Sequence, residues 1–135
     1  MLEAEILNEY RNVAVVGLST NPERASYRVA SYLSEQGYNI IPVNPNAQKI
    51  LGKTSYPNLS SIPESVEIVD IFRRSEEVLP IIDEAIKVGA KAVWMQEGVI
   101  NEEAAAKARD AGLLVVMDKC MFKEHQRLMR KQPGG

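Results

Sequence analysis

The sequence predicts an α/β protein built on a doubly wound, five-stranded parallel sheet with helices on both faces. Five short apolar segments recur along the chain, segments with helical periodicity separate them, and a glycine follows three of those helical segments. Alternating strands and helices form βαβ units, in which the strands pair in parallel, the crossovers are right-handed and helices cover both faces. The 135 residues suit one domain spanning residues 1–135.

The first half of the chain supplies two of the strands. Residues 1–10 carry apolar side chains among acids, which predicts a leading helical turn packed against the sheet edge. A strand over 12–17 precedes a helix over 23–36, and a second strand over 39–43 ends at an Asn-Pro-Asn turn. Residues 46–65 contain several Pro, Ser and Asn residues, so they predict a connector in which a short helix or an extended edge can lie.

The second half continues the same alternation with three more strands. Pro80 falls in the second turn of the predicted third helix, where it loosens or redefines the helix start. The predicted elements are a strand over 66–72, a helix over 76–88, a strand over 91–95, a helix over 102–111, a strand over 113–117, a terminal helix over 119–131 and a frayed tail over 132–135.

Composition excludes several classes of partner. The net charge is -2 with interspersed signs, which predicts neither nucleic acid nor an anionic membrane as a partner. Cys120 is the single cysteine and cannot form an internal disulfide, and the first residues lack the basic start and apolar core of a signal peptide. We therefore expect a cytoplasmic protein, and exposed edge strands would permit a homodimer.

The first strand ends in the turn that carries most of the functional signal. In doubly wound proteins, ligands bind outside the carboxyl ends of the strands, and a helix N-terminus beyond a glycine favours an anion. Gly17 lets a ligand approach the backbone, and Ser19, Thr20 and Asn21 supply polar groups beside the helix entry. The spacing from Gly17 to Pro22 does not match the G-x-G-x-x-G dinucleotide fingerprint. The alternative is a plain turn that caps the helix.

Two further strand ends qualify the type of ligand. Asn44 stands where a dinucleotide-binding domain usually has an acid for the ribose hydroxyls, which disfavours NAD. Phe72 offers an aromatic face, and Arg73 and Arg74 offer guanidinium groups that suit phosphates. The alternative for the arginines is a set of salt bridges with Glu76 or Glu77, and one arginine can serve each role.

The last two predicted strands are followed by a glycine-containing turn, by the only cysteine and by the only histidine. The turn from Gln96 to Gly98 either contacts a ligand through main-chain groups or is a plain turn. Cys120 is interpreted as a packing residue and His125 as a surface residue, since five positions on a helix separate them by about 140°. No residues have metal-ligand spacing, and no Walker A lysine follows the glycine turn. We therefore assign no catalytic residue and no metal ligand.

Several motifs in fixed order resemble the CoA-binding domain family, and more narrowly its stand-alone single-domain proteins. They are Val13 to Gly17 with Ser19, Pro22 and Ser26; Pro42 to Pro45; Gly52; Asp70 to Arg73; Trp94 to Gly98; and Asp118 to Cys120. The family is similar in fold to the N-terminal domain of the succinyl-CoA synthetase α subunit, so the resemblance implies a Rossmann-like domain. The implied coenzyme A contacts are Gly17, Ser19, Thr20, Asn21, Pro22, Ser26, Val43, Asn44, Phe72, Arg73, Arg74, Gln96, Glu97 and Gly98.

The leading functional hypothesis is a protein that holds coenzyme A or an acyl-CoA at the carboxyl ends of the sheet without catalysis of its own. The synthetase uses a phosphorylated histidine in a further domain, and His125 does not inherit that role. Two alternatives stay open. One is an NAD(P)-type regulatory module, and the other is a CoA or thiol-exchange enzyme that uses Cys120.

Overall fold

The computed structural model describes residues 1–131 and contains the predicted parallel sheet. The strands are β1 (Asn12–Val16), β2 (Asn39–Val43), β3 (Lys49–Ile50), β4 (Lys53–Thr54), β5 (Ile68–Ile71), β6 (Ala92–Met95) and β7 (Leu114–Val116). The helices are α1 (Leu2–Glu9), α2 (Ala25–Glu35), α3 (Val78–Lys87), α4 (Glu102–Asp110) and α5 (Met121–Arg130). The predicted frayed tail, 132–135, lies outside the described residues.

The order of the strands places a switch point between β1 and β5. The sheet runs β2-β1-β5-β6-β7, and each neighbouring pair is parallel. This is one of the common doubly wound orders, in which the chain leaves the central pair of strands in opposite directions. A crevice therefore opens where β1 and β5 end.

Helices cover both faces of the sheet, as the sequence predicts. Side chains alternate along each strand, so Val13 and Val15 pack with α1, α2 and α5, whereas Ala14 and Val16 pack with α3 and α4. All four side chains are buried. Strands that are buried on both faces consist of continuous apolar residues, and this composition allowed them to be predicted from the sequence.

The connector after β2 is more regular than its composition suggests. It contains the β3–β4 hairpin, turned by Leu51 and Gly52 at positive φ, and a 3-10 helix over Leu59–Ser61. Beyond the hairpin, the Tyr56 N–H donates to the carbonyl of Pro42 at 3.0 Å, and the Asn44 N–H donates to the carbonyl of Tyr56 at 2.9 Å. These bonds cover the carboxyl end of the outer edge of β2.

Two helices begin later than predicted. Helix α2 starts at Ala25 because Asn21 holds the preceding residues in a turn, with its side-chain oxygen accepting from the Glu23 N–H at 3.0 Å. Helix α3 starts at Val78, after a 3-10 turn over Ser75–Glu77. Pro80 therefore lies in the first turn, where its missing N–H has no intrahelical acceptor to lose.

The interpretation of His125 as a surface residue was wrong. Its side chain is buried on the inner face of α5, one helical turn after the buried Met121. Nδ1 of His125 lies 2.7 Å from the Tyr32 hydroxyl, and the ring meets those of Tyr32 and Tyr38 edge-on. Burial, with a contribution from the positive charge of Arg11, lowers the pKa of His125.

Candidate functional site

The loops after β1 and β5 touch at Gly17. Its φ is +87°, and a Cβ there would lie 2.3 Å from the carbonyl oxygen of Phe72 and 3.0 Å from Cδ of Arg73. Glycine is thus required by the protein's own backbone. The carbonyl of Phe72 occupies the space that a Cβ would take, and the predicted contact of Gly17 with a ligand stays a prediction. The close approach nevertheless defines the base of the crevice at the switch point.

The polar loop between Gly17 and α2 is held mainly by its own side chains. The Ser19 N–H donates to Oγ of Ser26 at 2.9 Å, and the Asn21 N–H donates to Oγ of Ser19 at 3.0 Å. Thr20, Asn21 and Pro22 are exposed. The hydroxyl of Ser26 thus anchors the loop to the helix. These internal bonds partly support the alternative that the loop is a plain turn.

The N-terminus of α2 remains available to an anion. No side chain among residues 1–131 caps it, and its first turn carries no acidic residue. Arg24 occupies the N-cap position, is exposed, and has no carboxylate within 4.0 Å in the described part of the chain. A cation at the positive end of a helix dipole is unfavourable unless an anion binds there. Arg24 is not among the contact residues predicted from the sequence, although a cation at the start of a predicted helix is a signal that could have indicated it.

Asn44 joins the ends of β1 and β2. Its Nδ2 donates to the carbonyl of Leu18 at 2.9 Å, and its Oδ1 accepts from the Asn46 N–H at 2.8 Å. The preceding residue, Val43, is buried. The amide of Asn44 therefore shapes the loop above Gly17 and does not extend an acidic group toward a ribose.

Arg73 and Arg74 share one carboxylate, that of Glu77. Nη2 of Arg73 lies 2.9 Å from Oε2 of Glu77, and Nη2 of Arg74 lies 3.1 Å from Oε1. Arg74 also lies 3.8 Å from Glu76. Hydrogen bonding from Arg74, assisted by the charges of both arginines, lowers the pKa of the Glu77 carboxyl. Both arginines that were predicted to bind phosphate are thus paired with a carboxylate of the protein itself.

The turn after β6 is fixed by buried and surface contacts. Nε2 of Gln96 donates to Oδ1 of Asp70 at 2.5 Å, and Oε1 of Gln96 accepts from the Met121 N–H at 3.4 Å. Glu97 pairs with Lys123 at 3.0 Å, and the Gly98 N–H donates to Asp118 at 2.7 Å. The side chain of Gln96 therefore links the sheet to the start of α5.

Asp70 is a fully buried carboxyl group below this turn. Its Oδ2 is the one buried side-chain N or O atom without a hydrogen-bond partner in the part of the chain that the structure describes. Burial raises its pKa to about 7, although the hydrogen bond from Gln96 acts in the opposite direction. The burial of Asp70 under the crevice was not predicted from the sequence, because it depends on the alternation of β5, which turns this side chain inward.

Two cavities lie on either side of Gly17. The first, of about 340 Å³, lies toward α2 and α5, and the second, of about 650 Å³, lies between the end of β2 and α3. Both include Gly17 and Ser19, so the cavities adjoin at the switch point. The first is also lined by Arg24, Ser26, Phe72, Gln96, Glu97 and Cys120, and the second by Val43, Asn44, Arg73 and Glu77.

The cavities bring together most, but not all, of the predicted contact residues. Thr20, Asn21, Pro22 and Gly98 line neither of these two cavities, and Arg74 borders a shallow depression beside them. Cys120, interpreted as a packing residue, is half-buried at the wall of the first cavity. The set of contacts as a whole stays a prediction.

The described residues provide neither a metal-binding group nor a membrane-spanning helix. Among residues 1–131, no group of three or more His, Cys, Asp or Glu side chains is placed to hold a metal ion. No helix in this same range is both long enough and apolar enough to cross a membrane.

Comparisons with known proteins identify a family and several relatives of this chain. The family model described as a CoA binding domain matches residues 11–126. The uncharacterized protein YneT of Bacillus subtilis is 39% identical over 121 residues, which cover 90% of each chain. The ADP-forming acetate–CoA ligase II subunit alpha of Pyrococcus furiosus is 31% identical over 106 residues, covering 78% of this chain and 23% of that subunit.

A solved structure matches over nearly the full chain. It is a hypothetical protein from Pyrococcus horikoshii OT3, with a TM-score of 0.92 and 43% identity, covering 94% of this chain and 89% of that chain. This similarity confirms the predicted Rossmann-like fold.

Proposed function

This chain belongs to the CoA-binding domain family, and from that premise we propose that it binds coenzyme A or an acyl-CoA without catalysing a reaction of its own. The matched segment is homologous to the CoA-binding domain of ADP-forming acetyl-CoA synthetase subunits. The ligand would lie across the carboxyl ends of β1 and β5. The ligase chains are several times longer than the matched segment, and their activity is not part of the proposal.

The observation that carries the proposal is the pair of cavities that adjoin at Gly17 and Ser19. Coenzyme A is a long molecule with an anionic nucleotide and a thiol-ended arm, so it needs two connected subsites of different character. One cavity leads past Arg24 to Cys120, and the other lies beside Arg73. Their volumes fall within the range typical of ligand sites.

The first cavity provides the clearest site for phosphate. It lies at the uncapped start of α2 and is lined by the first residues of that helix together with Arg24. Arginine pairs with phosphate through two parallel hydrogen bonds. We therefore expect the pyrophosphate to bind beside Arg24 and Ser19.

Isothermal titration calorimetry with coenzyme A, NAD and ADP tests the proposal. We expect coenzyme A to bind more tightly than ADP, because its arm reaches the remainder of the cavities. Binding of NAD with no binding of coenzyme A would overturn the proposal.

A matched pair of variants tests the phosphate subsite. Arg24→Gln should weaken coenzyme A binding by about 10-fold or more, since a hydrogen bond to a charged group contributes about 1.5–3 kcal/mol. Arg28→Gln is the control, because Arg28 is exposed one helical turn later on α2 and lines neither cavity. Equal affinities for the two variants would contradict the assignment of Arg24.

The NAD(P) alternative is weakened by the geometry at the end of β2. A dinucleotide site places an acid there to accept from the ribose hydroxyls. Here the amide of Asn44 is bonded to Leu18 and Asn46 within the protein. This supports coenzyme A over NAD as the ligand.

A second candidate function uses Cys120, which lies at the wall of the first cavity. In thiol exchange, the Cys120 thiolate would attack CoA disulfide, form a disulfide with one CoA and release the other as a thiolate. Mass spectrometry after incubation with CoA disulfide would detect this adduct. An unmodified Cys120 in a protein that binds coenzyme A would exclude the exchange activity.

A further inference from the structure

The carboxylate of Glu77 bridges two guanidinium groups, a type of group that also pairs with phosphate. One of its oxygens lies 2.9 Å from Arg73 and the other lies 3.1 Å from Arg74. Two adjacent arginines repel each other, and a shared anion relieves that repulsion. The protein thus already holds an anion at this position.

The shared anion lies at the edge of the proposed ligand site. Arg73 and Glu77 both line the second cavity, and Cδ of Arg73 lies 3.0 Å from where a Cβ of Gly17 would be. The side chains of Arg73 and Arg74 are 46% and 76% exposed, and that of Glu77 is 28% exposed. An incoming anion can therefore reach the guanidinium groups from solvent.

The second cavity is otherwise acidic. Besides Glu77, it is lined by Glu76 and Glu84, with Arg73 as its one arginine or lysine. A phosphate that entered without displacing Glu77 would meet carboxylates close to the one cation. Binding of phosphate and the Glu77 pairing therefore compete for the same guanidinium groups.

We propose that Glu77 is a specificity-determining residue, an internal counter-ion that a phosphate of the ligand must displace from Arg73 and Arg74. Its selection of coenzyme A rests on the proposed function, whereas its competition with phosphate does not. A phosphate monoester carries close to two negative charges near pH 7 and therefore attracts the two guanidinium groups more strongly than a carboxylate that carries one. Ligands without a phosphate at this position leave the arginines paired with Glu77.

The test compares Glu77→Gln with Glu76→Gln. Both substitutions remove one negative charge from the same 3-10 turn, but Glu76 lies 3.8 Å from one arginine and contacts only that one. Calorimetric titration with inorganic pyrophosphate and with coenzyme A measures affinity. The side-chain Nε–Hε NMR signals of Arg73 and Arg74 report whether these groups bind the added anion.

We expect Glu77→Gln to bind pyrophosphate about 2- to 30-fold more tightly, since two exposed ion pairs no longer compete. Glu76→Gln should change this affinity by less than about twofold. The arginine signals should shift on titration, and at lower pyrophosphate concentration in Glu77→Gln.

Unchanged or weaker binding of pyrophosphate to Glu77→Gln would overturn the proposal, because Glu77 would then orient the arginines instead of competing for them. Tighter pyrophosphate binding without any binding of coenzyme A would uphold the counter-ion and refute the proposed function. Tighter binding of both ligands would support the two together.

Discussion

At Gly17 a hydrogen atom in place of a side chain lets two loops meet. The carbonyl of Phe72 occupies the position that a methyl group would need, and the backbone has a positive φ. Both conditions favour glycine independently of any ligand. The sequence identified the right residue, but its physical role depends on a contact between positions 55 residues apart.

Gly17→Ala should destabilise the protein by about 2–5 kcal/mol, because strain at positive φ adds to a clash with rigid backbone. Gly37→Ala is the control, since Gly37 has φ +96° but nothing within 4 Å of its added Cβ. That variant should lose only about 1–2 kcal/mol. Urea unfolding measures both, and equal losses would contradict the clash.

Asp70 places a titrating group inside the sheet layer. Its carboxyl is protonated in the folded protein up to a pH of about 7, whereas in the unfolded chain it ionises near its ordinary pKa of 3.8. The folded state thus binds the proton more tightly. The contribution of Asp70 to the free energy of unfolding therefore falls as the pH rises from about 4 to about 7.

Asp70→Asn should remove this slope, which amounts to at most about 4 kcal/mol over the interval. An Asn side chain can still accept from Gln96, so the turn after β6 is retained. Urea unfolding at several pH values, compared between the variant and the unaltered protein, cancels the opposite contribution of His125. A parallel pH profile in the two proteins would contradict the shifted pKa of Asp70.

At the scale of elements, the 3-10 turn before α3 is bound to the start of α4. Oδ1 of Asn101 caps α4 by accepting from the Ala104 N–H at 2.9 Å, and its Nδ2 donates to the carbonyl of Ser75 at 2.9 Å. The Ile100 N–H donates to Oγ of Ser75 at 2.9 Å. The two helices that cover one face of the sheet are therefore connected by hydrogen bonds between the turn before α3 and the start of α4.

Asn101→Ala should cost about 1–2 kcal/mol through the lost cap. Asn101→Asp keeps the capping oxygen but loses the donor to Ser75, so it should cost less. Thermal unfolding ranks the variants. If the Asp variant were as unstable as the Ala variant, the bond to Ser75 would be the dominant contribution.

At the scale of the molecule, the alternation of elements was predictable and the contacts between elements were not. The apolar strands are buried on both faces, so their composition alone revealed them. The sharing of Glu77 by two arginines was open in the sequence, because either arginine could bind a phosphate. His125 was misjudged because its burial depends on aromatic partners from α2 and the start of β2.

A ligand that bridges both cavities should stabilise the whole domain. Coenzyme A at 100 times its dissociation constant should add about 2.7 kcal/mol to the free energy of unfolding and raise the melting temperature accordingly. Thermal unfolding with coenzyme A and with ADP at the same concentration measures the effect. A shift with ADP that equals the shift with coenzyme A would mean that the thiol-ended arm contributes nothing.

The hydrogen bonds between Tyr56 and the end of β2 pair main-chain groups at this edge of the sheet. Unpaired strand edges are the places where foreign peptides add to a sheet and start aggregates. Pro42 contributes as well, because it offers no N–H to a neighbouring chain. Loss of the two Tyr56 bonds would therefore expose a strand edge at which other chains can pair and aggregate.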